Sequence, residues 1–260
     1  MLLPVPPVTR TKRIVCTRWG VSLSLILLLE AACRLGLVPK LAVLPPTEMI
    51  AAMVQLLPTP EVLANVAATF ATVALAFIAA VLTGFAAGVA LHGLPRLRRI
   101  IDPLLASYYS VPIFVFYPLL VALFGLSAVP LIAIGFLAAV PAMLIATLLG
   151  LDRVPPVLRR VARMHRLGPM RTATLIILPA ALPNLFQGIK LSLAYAFIGV
   201  IAGEFILSGG GLGYAIAYAY ESFDNRTMYG LMLFVLLSAV ISNTLLSTWE
   251  ARLQRRSGRG

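Results

Sequence analysis

Apolar residues gather along the chain in six long runs, at about 19–38, 63–91, 103–125, 128–150, 180–206 and 229–249, with the polar residues between them. About 20 mostly apolar residues carry a helix across the hydrocarbon of a bilayer, and a helix satisfies its own backbone there. The pattern therefore predicts six transmembrane helices. Only Gly125, Leu126 and Ser127 separate the third run from the fourth, so these two read as a tight helical hairpin. Prolines punctuate the middle runs at Pro103, Pro112, Pro118, Pro130 and Pro141, each removing a backbone donor and predicting a bend or break.

Composition agrees with the pattern. Of the 260 residues 60% are hydrophobic and 12% charged, and the mean hydropathy is +0.98. A soluble domain has about 25% charged residues. The net charge of +12 would suit nucleic acid only if it formed one solvated basic face. Instead, seventeen of the 21 Lys and Arg fall in four connections: Arg10 to Arg18, Arg96 to Arg99, Arg153 to Arg171, and Arg252 to Arg259. All four lie on one side of a six-span chain, and the positive-inside rule makes that side the cytoplasm. Both termini are then cytoplasmic: residues 1–18 form an inner segment, 19–62 the first span with an outer segment, 63–250 a five-span core, and 251–260 a basic inner tail. The outer side carries Lys40, Arg226, Glu48, Glu61, Glu221 and Asp224. The N-terminal charges also precede an apolar stretch as in a signal peptide. No small-residue cleavage site follows Leu29, so an uncleaved span is expected.

Candidate chemistry is sparse. Cys16 and Cys33 flank the first run, where a disulfide would have to cross the membrane, and His92 and His165 have no ligand-spaced neighbours for zinc. No HExxH motif or phosphate-binding loop is present, and the cluster from Ser208 to Tyr214 lacks the Lys-Ser/Thr of such a loop. No cofactor or nucleotide is expected on this chain, so ATP-driven work would need a separate ATPase. Gly84 with Gly88, and Gly199 with Gly203, have the spacing that lets helices approach closely, within one chain or between two. Lys190 and Glu204 are costly in lipid. Fourteen residues, about 21 Å of helix, keep them from pairing with each other. Lys190 could snorkel toward the inner surface; Glu204 could line a path or gate, or make an interhelical hydrogen bond.

The inner connection at 151–179 holds an apolar stripe, Val157, Leu158, Val161, Met164 and Leu167, bordered by Arg159, Arg160, Arg163 and Arg166. Its spacing predicts a short amphipathic helix, seated either at lipid headgroups or in a groove on a partner protein.

Here the chain resembles a known family. Arg160-Val161-Ala162, followed by Ile176-Ile177-Leu178-Pro179, is similar to the cytoplasmic coupling motif of binding-protein-dependent ABC permeases, which runs Glu-Ala-Ala, three residues, Gly, nine residues, Ile-x-Leu-Pro. Arg160 stands at the Glu position and Arg166 at the Gly position, with Gly168 two residues later. Leu44 to Glu48, Asp102 to Leu105, Val111-Pro112 with Tyr117-Pro118-Leu119, Gln187 to Leu191, Ala202-Gly203-Glu204 and Gly211 to Tyr214 resemble importers for nitrate, taurine and alkane sulfonates.

The resemblance implies an all-α integral membrane protein with the type I ABC importer permease fold in the bacterial inner membrane. It further implies a homodimer served by a cytoplasmic ATPase and a periplasmic solute-binding protein. Arg160, Val161, Ala162, Arg163, Met164, Leu167 and Gly168 would meet the ATPase, while Pro112, Tyr117, Lys190 and Glu204 would lie along the path or gate. The solute would be a small anion, although related importers carry pyrimidine vitamin precursors. A secondary transporter or channel is the rival class; it predicts ion-coupling carboxylates at the midplane or an internal repeat.

Overall fold

The computed structural model describes residues 8–39 and 42–256, so Lys40 and Arg259 lie outside it. Eleven helices occupy the described residues, with no strand among them: α1 Val8–Arg34, α2 Pro46–Leu56, α3 Pro60–Gly93, α4 Pro95–Tyr108, α5 Tyr117–Phe124, α6 Ala128–Asp152, α7 Pro156–Met164, α8 Pro169–Thr172, α9 Leu178–Leu207, α10 Leu212–Glu221 and α11 Asn225–Arg256. A 3₁₀ turn, Ile113–Phe116, leads into α5, and a π-helical segment, Ala173–Ile177, leads from α8 into α9.

Helices α3, α6, α9 with the turns before it, and α11 are each long and apolar enough to cross a membrane. Four of the six apolar runs fall on these helices and the first falls on α1. The third run is different. It is not one helix: α4 and the segment Ile113–Phe124 meet at 93°. Pro112 supplies no N–H, and its ring disfavours helical backbone at Val111, so the break lies here. The other prolines do less than the sequence suggests. Pro118 and Pro130 sit in the first turns of α5 and α6, where N–H groups lack helical partners in any case. Helix α4 continues through Pro103 and α6 through Pro141.

The core forms where α6 runs between α3 and α9. Hydrocarbon is as apolar as a leucine, so close backbone contact rather than the hydrophobic effect holds helices together in lipid. The glycines provide it inside the chain. A Cβ on Gly88 would lie 2.6 Å from the Thr147 Cβ, and one on Gly199 would lie 2.8 Å from the Gly135 Cα. Val73, Ala76, Ala80, Ala139, Ala196 and Val200 fill the remaining space.

Helix α1 makes its main contact with α2, where Glu30 accepts from the Thr47 hydroxyl at 2.7 Å and from Arg34 at 2.6 Å. Its leucines from Leu23 to Leu28 are exposed, as expected of a helix surrounded by lipid.

Replacing Gly88 by Ile should drive a side chain into Thr147 and lower stability by about 1–3 kcal/mol. Gly93→Ala, which meets nothing within 4 Å, should stay within about 0.5 kcal/mol of the parent. Thermal unfolding in detergent checks both.

Candidate functional site at the two ends of the helix core

Glu204 organises the end of the core where α9 gives way to α10. It is 2% exposed, in the last turn of α9. The Thr69 hydroxyl of α3 lies 2.8 and 2.9 Å from its two oxygens and donates to them, and the Gly213 N–H donates to Oε2 at 2.9 Å. Thr69 Oγ1 in turn accepts from the Leu212 N–H at 2.8 Å, while the Gly211 N–H donates to Asn65 Oδ1 at 3.0 Å. The first N–H groups of α10, which have no helical acceptors, are thus met by a hydroxyl and a carboxylate. Gly211 adopts φ +99°, and a Cβ there would lie 2.4 Å from the Glu204 carboxyl. The glycine cluster therefore serves to seat a loop on this carboxylate.

Two cavities flank Glu204. One, of about 260 Å³, is bounded by Thr72, Tyr117, Leu131, Ser208 and Gly210; the other, of about 280 Å³, by Phe205, Tyr214, Tyr218 and Glu221. No Lys or Arg lines either among the described residues. At this end, outside the spans, bonding from Thr227 holds the Asp224 carboxyl below the usual carboxylate range.

The four path candidates do not converge. Tyr117 and Glu204 share the first cavity, and Tyr117 is buried against Leu131, Ile134 and Gly203. Pro112 is exposed at the α4–α5 break. Lys190 forms an ion pair with Glu250, joining α9 to α11.

At the opposite end, α7 is the amphipathic helix the stripe predicts, but its apolar residues divide between two directions. Ala162 is buried and Leu158 and Leu167 half-buried, whereas Val157, Val161 and Met164, spaced i, i+4, i+7, are 61%, 38% and 82% exposed. Among the described residues Arg160, Arg163 and Arg166 make no ion pair, and Gly168 is exposed just before α8. Helix α7 ends in a left-handed residue, Arg166 at φ 49°. The Leu167 N–H reaches the Ala162 carbonyl and the Arg166 N–H the Arg163 carbonyl, both at 3.0 Å. This is the paired closure in which glycine usually supplies the left-handed residue. Glycine would take this conformation freely, whereas Arg166 meets it at a cost of about 1–2 kcal/mol.

Sequence reasoning did not find Thr69, Asn65 or Glu250. Each bonds a residue far away in the chain, and a lone threonine in an apolar helix carries no signal of its partner.

A helical membrane core with a loop locked at one end and an exposed amphipathic helix at the other is the frame of a polytopic membrane protein. The chain belongs to the binding-protein-dependent transport system inner membrane component family, whose profile matches residues 80–259. The nitrate import permease protein NrtB of Leptolyngbya laminosa is 26% identical over 189 residues, 73% of this chain and 68% of that one. The taurine transport system permease protein TauC of Escherichia coli (strain K12) is 33% identical over 159 residues, 60% of this chain and 57% of that one. An inward-facing structure of the MetNI methionine ABC transporter matches with a TM-score of 0.60 at 21% identity, covering 80% of this chain and 97% of that one. The fold is that of type I importer permeases.

Thr69→Val should leave the Leu212 N–H without its acceptor and Glu204 without its hydroxyl donor, costing about 1–3 kcal/mol. Hydrogen exchange at the start of α10 should accelerate. Arg166→Gly should act in the opposite sense, stabilising the end of α7 by about 1 kcal/mol and slowing exchange there.

Proposed function

We propose that this chain is the membrane-spanning subunit of an ATP-driven importer, working as a homodimer that forms the path for a small solute. A separate cytoplasmic ATPase docks on α7, and a periplasmic binding protein delivers the solute. The observation that carries the reading is the exposed stripe of Val157, Val161 and Met164 beside unpaired arginines, on the segment that resembles the coupling motif. Apolar anchors at i, i+4 and i+7 on a helix are the pattern that fills a groove on a partner protein.

Movement of the paired ATPases would shift α7 and turn the path between inward and outward states, a rigid-body alternation. The chain itself holds no cofactor or nucleotide and catalyses no reaction; both termini face the cytoplasm of the inner membrane. A small anion as solute is supported by the relatives named for nitrate and taurine. With no basic side chain lining the outer cavities among the described residues, selection for the anion would rest on the binding protein.

Val161→Asp and Met164→Asp place an unpaired carboxylate in the docking contact and should cost about 2 kcal/mol or more of binding. The ATPase should no longer copurify, while membrane insertion is unchanged. Retention of the ATPase by both variants, with transport intact, would make α7 a membrane-surface helix instead.

A further inference from the structure

The inner ends of four helices are tied together at the end of α6. Asp152 receives the Arg98 guanidinium of α4 on both oxygens, at 2.9 and 2.6 Å. The adjacent Arg153 donates to Asn184 Oδ1 of α9 at 3.0 Å. On the other side, the Leu151 carbonyl accepts from Arg159 of α7 at 3.2 Å, and the same guanidinium lies 3.4 Å from His92 Nε2 at the end of α3. His92 Nδ1 is in turn 3.2 Å from Asp152 Oδ1. Three consecutive residues, Leu151 to Arg153, therefore meet α7, α4 and α9 in order.

From this junction we infer that Asp152 and Arg98 are positioning residues that carry movement of α7 to the bent α4–α5 pair; the inference rests on the docking role proposed for α7. The packing of α4 is what gives the contact its leverage. No residue of α4 is buried, so close packing does not fix it as it fixes α3, α6 and α9. Among the described residues two polar contacts hold it to α6: the Arg98–Asp152 pair and the Tyr108 hydroxyl, which donates to the Leu137 carbonyl at 2.9 Å.

A bidentate guanidinium–carboxylate pair sets orientation as well as distance. A displacement of α7 enters through Arg159 at Leu151, one residue before Asp152, and leaves through Arg98 into α4. Past the Pro112 break the same segment carries Tyr117, which lines the cavity beside Glu204. The junction thus connects the docking helix to the outer site by way of a segment whose two halves meet at 93°, and coupling through it requires that this bend take two arrangements.

The test uses the permease copurified with its ATPase in nanodiscs, with Cys16 and Cys33 replaced by Ser and a spin label at Val115→Cys, an exposed position beyond the break. The probe is Mg-ATP with vanadate. In the parent complex trapping should change the label's spectrum. In Asp152→Asn and Arg98→Gln the ATPase should remain bound and still trap vanadate, while the spectral change falls about fivefold or more. The exchanged pair, Arg98→Asp with Asp152→Arg, should recover most of it. Arg98→Lys keeps the charge without the bidentate geometry and should lie between. A parental response in the two single variants, or an exchanged pair that keeps the ATPase but recovers nothing, overturns the inference. Failure of the docking reading shows separately, as ATPase retention by Val161→Asp.

Discussion

Close backbone contact between α3, α6 and α9 is the constraint on which the rest of this molecule depends. In hydrocarbon a leucine gains nothing by leaving lipid for protein, so helices cohere only where their surfaces approach nearly to backbone distance. Gly88 against Thr147, and Gly199 against Gly135, bring three helices into that range. Once they are fixed, polar groups can be spent at the ends. Glu204 and Thr69 face each other across α9 and α3 only because α6 sets the spacing. Asp152 likewise meets Arg98 at the end of the same helix.

The two ends solve different problems with related chemistry. At the α10 end a buried carboxylate is surrounded by donors from α3 and α10, leaving the loop no freedom to lift without exposing three unsatisfied groups. At the α7 end a carboxylate and three arginines lie partly in solvent, where exposed ion pairs contribute little net stability. An arrangement of that kind gives direction rather than rigidity. The α10 end is held by buried bonds, and the α7 end by exposed ones.

Much of the fold was legible because crossing a bilayer demands length and apolarity, and both are written in the chain; five of the six runs fall on single helices. The third misleads because Pro112 looks the same in sequence as four other prolines. What separates it is position, between helices rather than within a first turn or an unbroken helix. The glycine pairs announced close approach, yet spacing alone could not say that α6 was the partner. For α7 the period gave an apolar stripe but not which residues face the protein, so Leu158 and Leu167 lie half-buried while Val157 and Met164 remain exposed. The partners of Glu204 and Lys190 were hidden for a simpler reason: Thr69 and Glu250 are remote in the chain, and no local pattern points to them.

The π-helical segment Ala173–Ile177 sets the angular phase of everything before it. Its wider turn precedes Pro179, with the Leu178 N–H reaching back five residues to the Ala173 carbonyl. Each residue of helix advances the side-chain direction by about 100°, so a single residue gained or lost there would swing the exposed apolar stripe of α7 onto another azimuth relative to α9. The bearing of α7 is set by backbone register, as a key's teeth are set by where its blank was clamped.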